Sequence, residues 1–226
     1  MLVKISLLRS ANCRALQRSR EEDRRNFILS SKHSHRWTRL HAEKRGIRVL
    51  GIAESFKASK SNSTLAGVVM RRDLIIDGIV FGSVTIKGND STQNILSMVR
   101  SLKRSDVNCI MLDGLIISIY NIIEGEEINE RAGIPLIAIT FRDSWGLEET
   151  IRRHFPNDSL KLEQYHKLGQ REKMVLKTGK LIFVRYWGLN SREASSIINS
   201  FTLQGSIPEP IRIAKLAARA IMRSNP

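Results

Sequence analysis

The chain changes rhythm at Gly46. Before it, residues 1–39 mix Arg, Ser and His without sustained periodicity, and no packed core is predicted there. After it come short apolar runs separated by polar or Gly-containing breaks. Ile47–Ala53, Leu65–Met70 and Leu74–Ile86 predict three strands joined as a meander. Ile95, Leu96, Met98, Val99 and Leu102 recur at helical spacing within Ser91–Lys103, with Asp90 or Ser91 placed to cap that helix. Asn108–Leu112 reads as a buried strand ending in Asp113-Gly114 and Ile134–Thr140 as another, with Tyr120–Ala132 between them expected to be helical. Strands alternating with helices imply crossover connections and parallel pairing, so the sheet should be antiparallel first and parallel later. Further on, Leu147–His154 and Leu160–Leu176 predict helices and Leu181–Tyr186 a strand. Asn190-Ser191-Arg192-Glu193 is a capping-box-like start to a helix ending near Phe201. Pro210–Met222, with Ile213, Leu216, Ala217 and Ile221 on one face, predicts a closing amphipathic helix.

A chain of 226 residues accommodates one well-buried domain, placed here at residues 40–226, preceded by a basic, poorly ordered extension over residues 1–39. The extension reads as an organelle transit peptide, a nucleic-acid arm or an untranslated upstream start. No apolar run approaches the roughly 20 residues that cross a bilayer, so no membrane partner is expected. The formal charge of +15 draws polyanions to the surface and makes DNA or RNA the natural partner, although a solvated charged face would give the same excess. Cys13 and Cys109 are the only cysteines, which fits a reducing, cytoplasmic setting; the His33, His35 and His41 group sits among cations and does not suggest zinc.

Three acids fall where strands end or helices begin: Glu54, Asp90 and Asp113. In parallel α/β sheets such ends face one crevice. Carboxylates gathered there repel one another unless they are protonated, paired with Arg or Lys, or bound to a cation, and an all-oxygen set favours Mg²⁺ or Mn²⁺. An ion so held can orient a phosphodiester and activate water. Read one at a time, Asp90 is also a helix cap, Asp113-Gly114 a turn and Glu54 a loop residue.

The stretch Leu40 to Phe56, with Gly88-Asn89-Asp90-Ser91-Thr92, Leu112-Asp113-Gly114 and Ile207 to Lys215, resembles the archaeal domain-of-unknown-function family number ninety-nine, from about Leu40 onward. That family is similar to endonuclease V, a metal-dependent nuclease that cuts near deaminated purines. The resemblance implies a ribonuclease H-like mixed α/β sheet flanked by helices. It makes Asp113 and Asp90 metal ligands and catalytic acids, with Glu54 in support. The nuclease's first aspartate falls on Ala53, which leaves Glu54 one residue out of register. Its His after the Arg-x-Ala motif is Lys215, and its lysine after the Ile134–Thr140 strand is replaced by Phe141 beside Arg142. Neither its Pro-Tyr wedge nor its His-Pro segment has a counterpart, at Phe81–Lys87 or Leu115–Tyr120 respectively.

These readings lead to a Mg²⁺- or Mn²⁺-dependent nuclease with Lys215, Arg212 and Arg142 on the phosphate side. The alternatives are a non-catalytic nucleic-acid-binding relative and a nucleotide-handling enzyme. A Glu54 directed away from the other acids would favour the binding protein. Glu209 and Arg212 are spaced for a local ion pair. Trp145, Tyr165, His166, Arg185, Tyr186 and Trp187 are further strand-holding candidates, of which Tyr186 and Trp187 read better as core.

Overall fold

The computed structural model describes residues 46–143 and 146–224. The expectations for residues 1–39, for the boundary at Leu40 and for Trp145 lie outside the described residues. The meander forms as the short apolar runs predict: β1 (Arg48–Ser55), β2 (Asn62–Arg71) and β3 (Ile76–Thr85) pair antiparallel in sequence. Helix α1 (Ser91–Ser101) then crosses to β4 (Cys109–Asp113), which lies parallel to β1 with Ile52 opposite Leu112. A two-strand hairpin, β5 (Ile116–Ile117) and β6 (Asn121–Ile122), precedes α2 (Gly125–Ala132) and β7 (Leu136–Thr140), which is parallel to β4.

Helices α3 (Glu148–His154) and α4 (Ser159–Lys167) lead to β8 (Glu172–Val175) and β9 (Leu181–Trp187). Strand β9 returns antiparallel to β7, giving a seven-stranded sheet ordered β3-β2-β1-β4-β7-β9-β8. The parallel section is therefore β1, β4 and β7, followed by an antiparallel edge.

Two segments differ from the sequence expectation. The helix expected from Tyr120 starts only at Gly125, because Asn121 and Ile122 are drawn into the hairpin. The helix expected over Leu160–Leu176 stops at Lys167: Leu168 is its C-cap, and Gly169 follows at φ +67°, the left-handed position that ends helices. Met174 and Leu176 are then buried while Lys173 and Val175 are exposed, which is a strand pattern.

The sheet buries both faces. Val49, Ala53, Cys109, Met111 and Ile139 pack against α5 (Ser191–Ser200) and α6 (Glu209–Ser224) through Ala194, Ile197, Ile198, Ile211 and Ala214. Leu50, Ile52, Ile110, Leu112 and Ala138 pack against α1 and α2 through Ile95, Leu96, Met98 and Ile128. The capping box at α5 is formed, with Asn190 and Glu193 exchanging bonds of 3.0 Å. Close approach of α6 depends on Gly51, where any Cβ would run into the Pro210 backbone.

Candidate nucleic-acid cleft and acidic site

Parallel strands β4 and β7 end side by side, and their carboxyl ends open into a cleft of about 1190 Å³. Asp113, Gly114, Leu115 and Ile116 form one wall, and Thr140 to Asp143 another; Arg171, Lys173 and Arg185 come from the β8–β9 edge and Lys215 from α6. Its described lining holds five cationic side chains (Arg142, Arg171, Lys173, Arg185 and Lys215) against two acids, Asp113 and Asp143. Arg171 bridges to Asp143 at 3.1 Å and lies over the Phe183 ring at 4.9 Å. Arg185 donates to the Gly169 carbonyl at 2.7 Å, and burial, followed by repulsion from Arg171, lowers its pKa from the ordinary value.

Of the two acids in the described lining, Asp143 pairs with Arg171 and Asp113 ends β4. Its partner across β4–β7 is Ile139, a residue of the α6-side core, so its carboxylate points to the α6 face and meets Lys215 Nζ at 2.7 Å. Glu54 lies on the opposite face. Strand β1 continues through Ser55, and Glu54 stands opposite Leu65 of the α1-side core, so the one-residue offset from Ala53 reverses the side chain. Both its oxygens are engaged by Ser118, accepting from the amide at 2.8 Å and from the hydroxyl at 2.6 Å.

Asp90 occupies the N-cap position of α1 without capping it. Its carboxylate accepts instead from Thr85 N at 3.1 Å, Thr85 Oγ1 at 2.8 Å, Asn94 Nδ2 at 3.1 Å and Asn121 Nδ2 at 2.7 Å. Burial raises the Asp90 pKa, but the hydrogen bonds from Asn121 and Thr85 outweigh it and hold the carboxyl below 3.8. Among the described residues no three His, Cys, Asp or Glu side chains are grouped to hold a metal ion. As arranged, the three acids do not fit a shared Mg²⁺ or Mn²⁺ cage: Asp113 is neutralised by an ammonium, Glu54 faces away, and Asp90 is surrounded by donors.

The other candidates also have definite places. Arg212 donates through Nε to Glu209 at 2.8 Å, forming the expected local pair at the start of α6, and it does not line the cleft. Arg142 does line it. Tyr165 lines the cleft while accepting from Leu147 N at 3.1 Å. Tyr186 and Trp187 pack against the core, Trp187 filling the space beside Gly125.

Sequence reasoning missed Lys173 and Arg171, which a helical reading of Leu160–Leu176 concealed; Gly169 was the signal that could have exposed them. It also missed Lys161, almost wholly buried, whose ammonium donates to Gly88 O at 3.0 Å, Asn89 Oδ1 at 2.6 Å and Tyr120 O at 2.9 Å.

A meander feeding a parallel centre, with helices on both faces and an antiparallel edge, is a ribonuclease H-like α/β fold. Among solved structures, a protein of unknown function from Archaeoglobus fulgidus is 27% identical, with a TM-score of 0.67 over 78% of this chain and 98% of that one. Human ENDOV superposes with a TM-score of 0.58 at 15% identity, covering 84% of this chain and 90% of that one. Ciona intestinalis endonuclease V, bound to a DNA containing inosine followed by a ribo-adenosine, gives 0.55 at 14%, covering 80% and 87%. The chain belongs to the endonuclease dU family, whose profile matches residues 45–222. A UPF0215 protein of Pyrobaculum calidifontis is 36% identical over 173 residues, 76% of this chain and 95% of that relative.

Proposed function

We propose that this protein takes a nucleic-acid strand into the basic cleft and acts there as a nuclease, with Asp113 as the acid presented to the phosphodiester backbone. The family's description points to deoxyuridine-containing DNA as the substrate to test first. The observation that carries the reading is the position of Asp113 at the end of β4, inside a cleft whose other charged groups are mostly Arg and Lys. Such a lining neutralises backbone phosphates and releases counterions on binding, so affinity should fall steeply with salt. Arg142 and Lys173 would contact phosphate, and Lys215 would share its charge between Asp113 and the strand. Mg²⁺ or Mn²⁺, if used, would have to compete with the Lys215 ammonium for Asp113.

The deciding experiment incubates the full chain with labelled single- and double-stranded DNA, with and without deoxyuridine, and with RNA, comparing the native protein and Asp113→Asn. Cleavage that survives Asp113→Asn unchanged rejects the site. A second reading, binding without hydrolysis, is favoured by the orientation of Glu54 and the Asp113–Lys215 pair. Salt-sensitive binding with no cleavage by the native chain would select it.

A further inference from the structure

Ser118, Ile119 and Tyr120 have φ angles of 45°, 56° and 65°, three left-handed residues in succession and none of them glycine. Each sets its Cβ against a carbonyl, and for β-branched Ile119 the conformation is an outlier that persists only where its surroundings enforce it. The enforcing groups converge from both sides. Glu54 grips the Ser118 amide and hydroxyl, while the Ser118 carbonyl accepts from Lys87 N at 2.7 Å. Lys161 holds the Tyr120 carbonyl. Asn121, fully buried, donates to Asp90 and to Thr85 O at 3.0 Å, and accepts from Ser91 N at 3.1 Å. The corner is the tip of the hairpin that follows Gly114, and the same hairpin places Leu115 and Ile116 in the cleft wall beside Asp113.

We infer that Glu54 and Asp90 are positioning residues: they clamp the left-handed corner Ser118–Tyr120 and so fix the wall of the cleft next to Asp113. The clamp stands on the hydrogen bonds themselves, and only its consequence for the strand rests on the proposed function. A glutamine at position 54 can keep the geometry. Its carbonyl accepts from the Ser118 amide and its NH₂ donates to Ser118 Oγ, whose hydrogen turns to Ser63 Oγ, 2.6 Å away. A residue acting as a hard-cation ligand loses affinity on the same substitution, because the amide oxygen carries no charge.

The test compares the full-length native chain with Glu54→Gln, Glu54→Ala and Glu54→Ala/Ile119→Gly, reading amide hydrogen exchange over residues 117–122 and affinity for a labelled deoxyuridine oligonucleotide. Glu54→Ala should speed exchange at least about tenfold and weaken binding about fivefold, while Glu54→Gln stays within about threefold of native in both. Adding Ile119→Gly to Glu54→Ala should recover at least half of the lost thermal midpoint, because glycine adopts the corner without strain. Ser118→Ala, which removes only the hydroxyl arm, should speed exchange about threefold and replaces the alanine variant if that one does not fold. Glu54→Gln behaving like Glu54→Ala, or abolishing Mn²⁺ binding by the native chain in calorimetry, overturns the inference. If the native chain binds no oligonucleotide, the cleft reading fails, and exchange alone still decides the clamp.

Discussion

The cleft and the left-handed corner flank the same aspartate, and both are built from charged and polar side chains, yet they use them in opposite ways. In the corner every charge is answered: Glu54 by Ser118, Asp90 by Asn121 and Thr85, Lys161 by three oxygens and the face of Phe155 at 4.7 Å. In the cleft the cations outnumber the acids, and the Asp113–Lys215 pair is partly open, with the lysine side chain 41% exposed. A buried network that is fully satisfied gives rigidity, whereas an excess of one sign in an open cleft leaves attraction for something outside the protein. Sequence position put Glu54, Asp90 and Asp113 alike at strand or helix ends; their partners separate them.

Four measurements bear on this contrast, beginning with the largest effect. Asp113→Asn should lower cleavage of deoxyuridine DNA at least about 100-fold while leaving the thermal midpoint nearly unchanged, since a partly exposed ion pair adds little to stability. A large loss of stability with intact cleavage would make Asp113 a structural acid like its neighbours. Asn121→Ala should do the reverse in the corner. It removes the shortest of the Asp90 carboxylate's hydrogen bonds and leaves the buried Ser91 amide without its partner, at a cost of about 2–4 kcal/mol in urea unfolding, and a cost near zero would mean the network is not what holds the hairpin.

In the cleft, Arg142→Ala and Lys173→Ala should each weaken nucleic-acid binding about three- to tenfold, with the salt slope reduced by about one. Binding unchanged at every salt concentration would move the interface elsewhere. The smallest effect is with pH. Asp90 in the corner and Asp106, which pairs with Arg104 at 2.8 Å in the loop between α1 and β4, have folded pKa values below the ordinary 3.8; for Asp106 the hydrogen bond from Arg104 brings it to about 2. A depressed carboxyl contributes stability that is complete above its unfolded pKa and lost as the pH falls through its folded one. Thermal midpoints should therefore hold down to about pH 4 and decline toward about pH 2, with a shallower decline in Asp90→Asn.

Much of the fold was legible because its signals are local. The short apolar runs of the meander, the helical spacing from Ile95 to Leu102 and the Asn190–Glu193 capping box act within a few residues of themselves. The resemblance to endonuclease V drawn from Asp113-Gly114 and the Pro208–Lys215 region holds at the level of the fold. The corner was not legible, because no turn residue announces it: Ser118, Ile119 and Tyr120 adopt glycine-like angles under the pull of partners from several other elements. Lys161 on a short polar helix reads as solvent-facing until Gly88, Asn89 and Tyr120, 41 to 73 residues away, close around it. Glu54 was ambiguous for one reason only, whether β1 ended before it, and the pairing of Ser55 with Thr64 shows that it does not.

The 102-residue separation between Asp113 and Lys215 has an implication for how the molecule is made. A nascent chain emerging from the ribosome exposes its strand-end aspartate well before the helix that carries the matching lysine has been translated. Until α6 docks against Gly51, the cleft holds a carboxylate without its counter-charge and one face of the sheet is covered by α5 alone, so intermediates in synthesis would have an electrostatic character that the finished protein lacks.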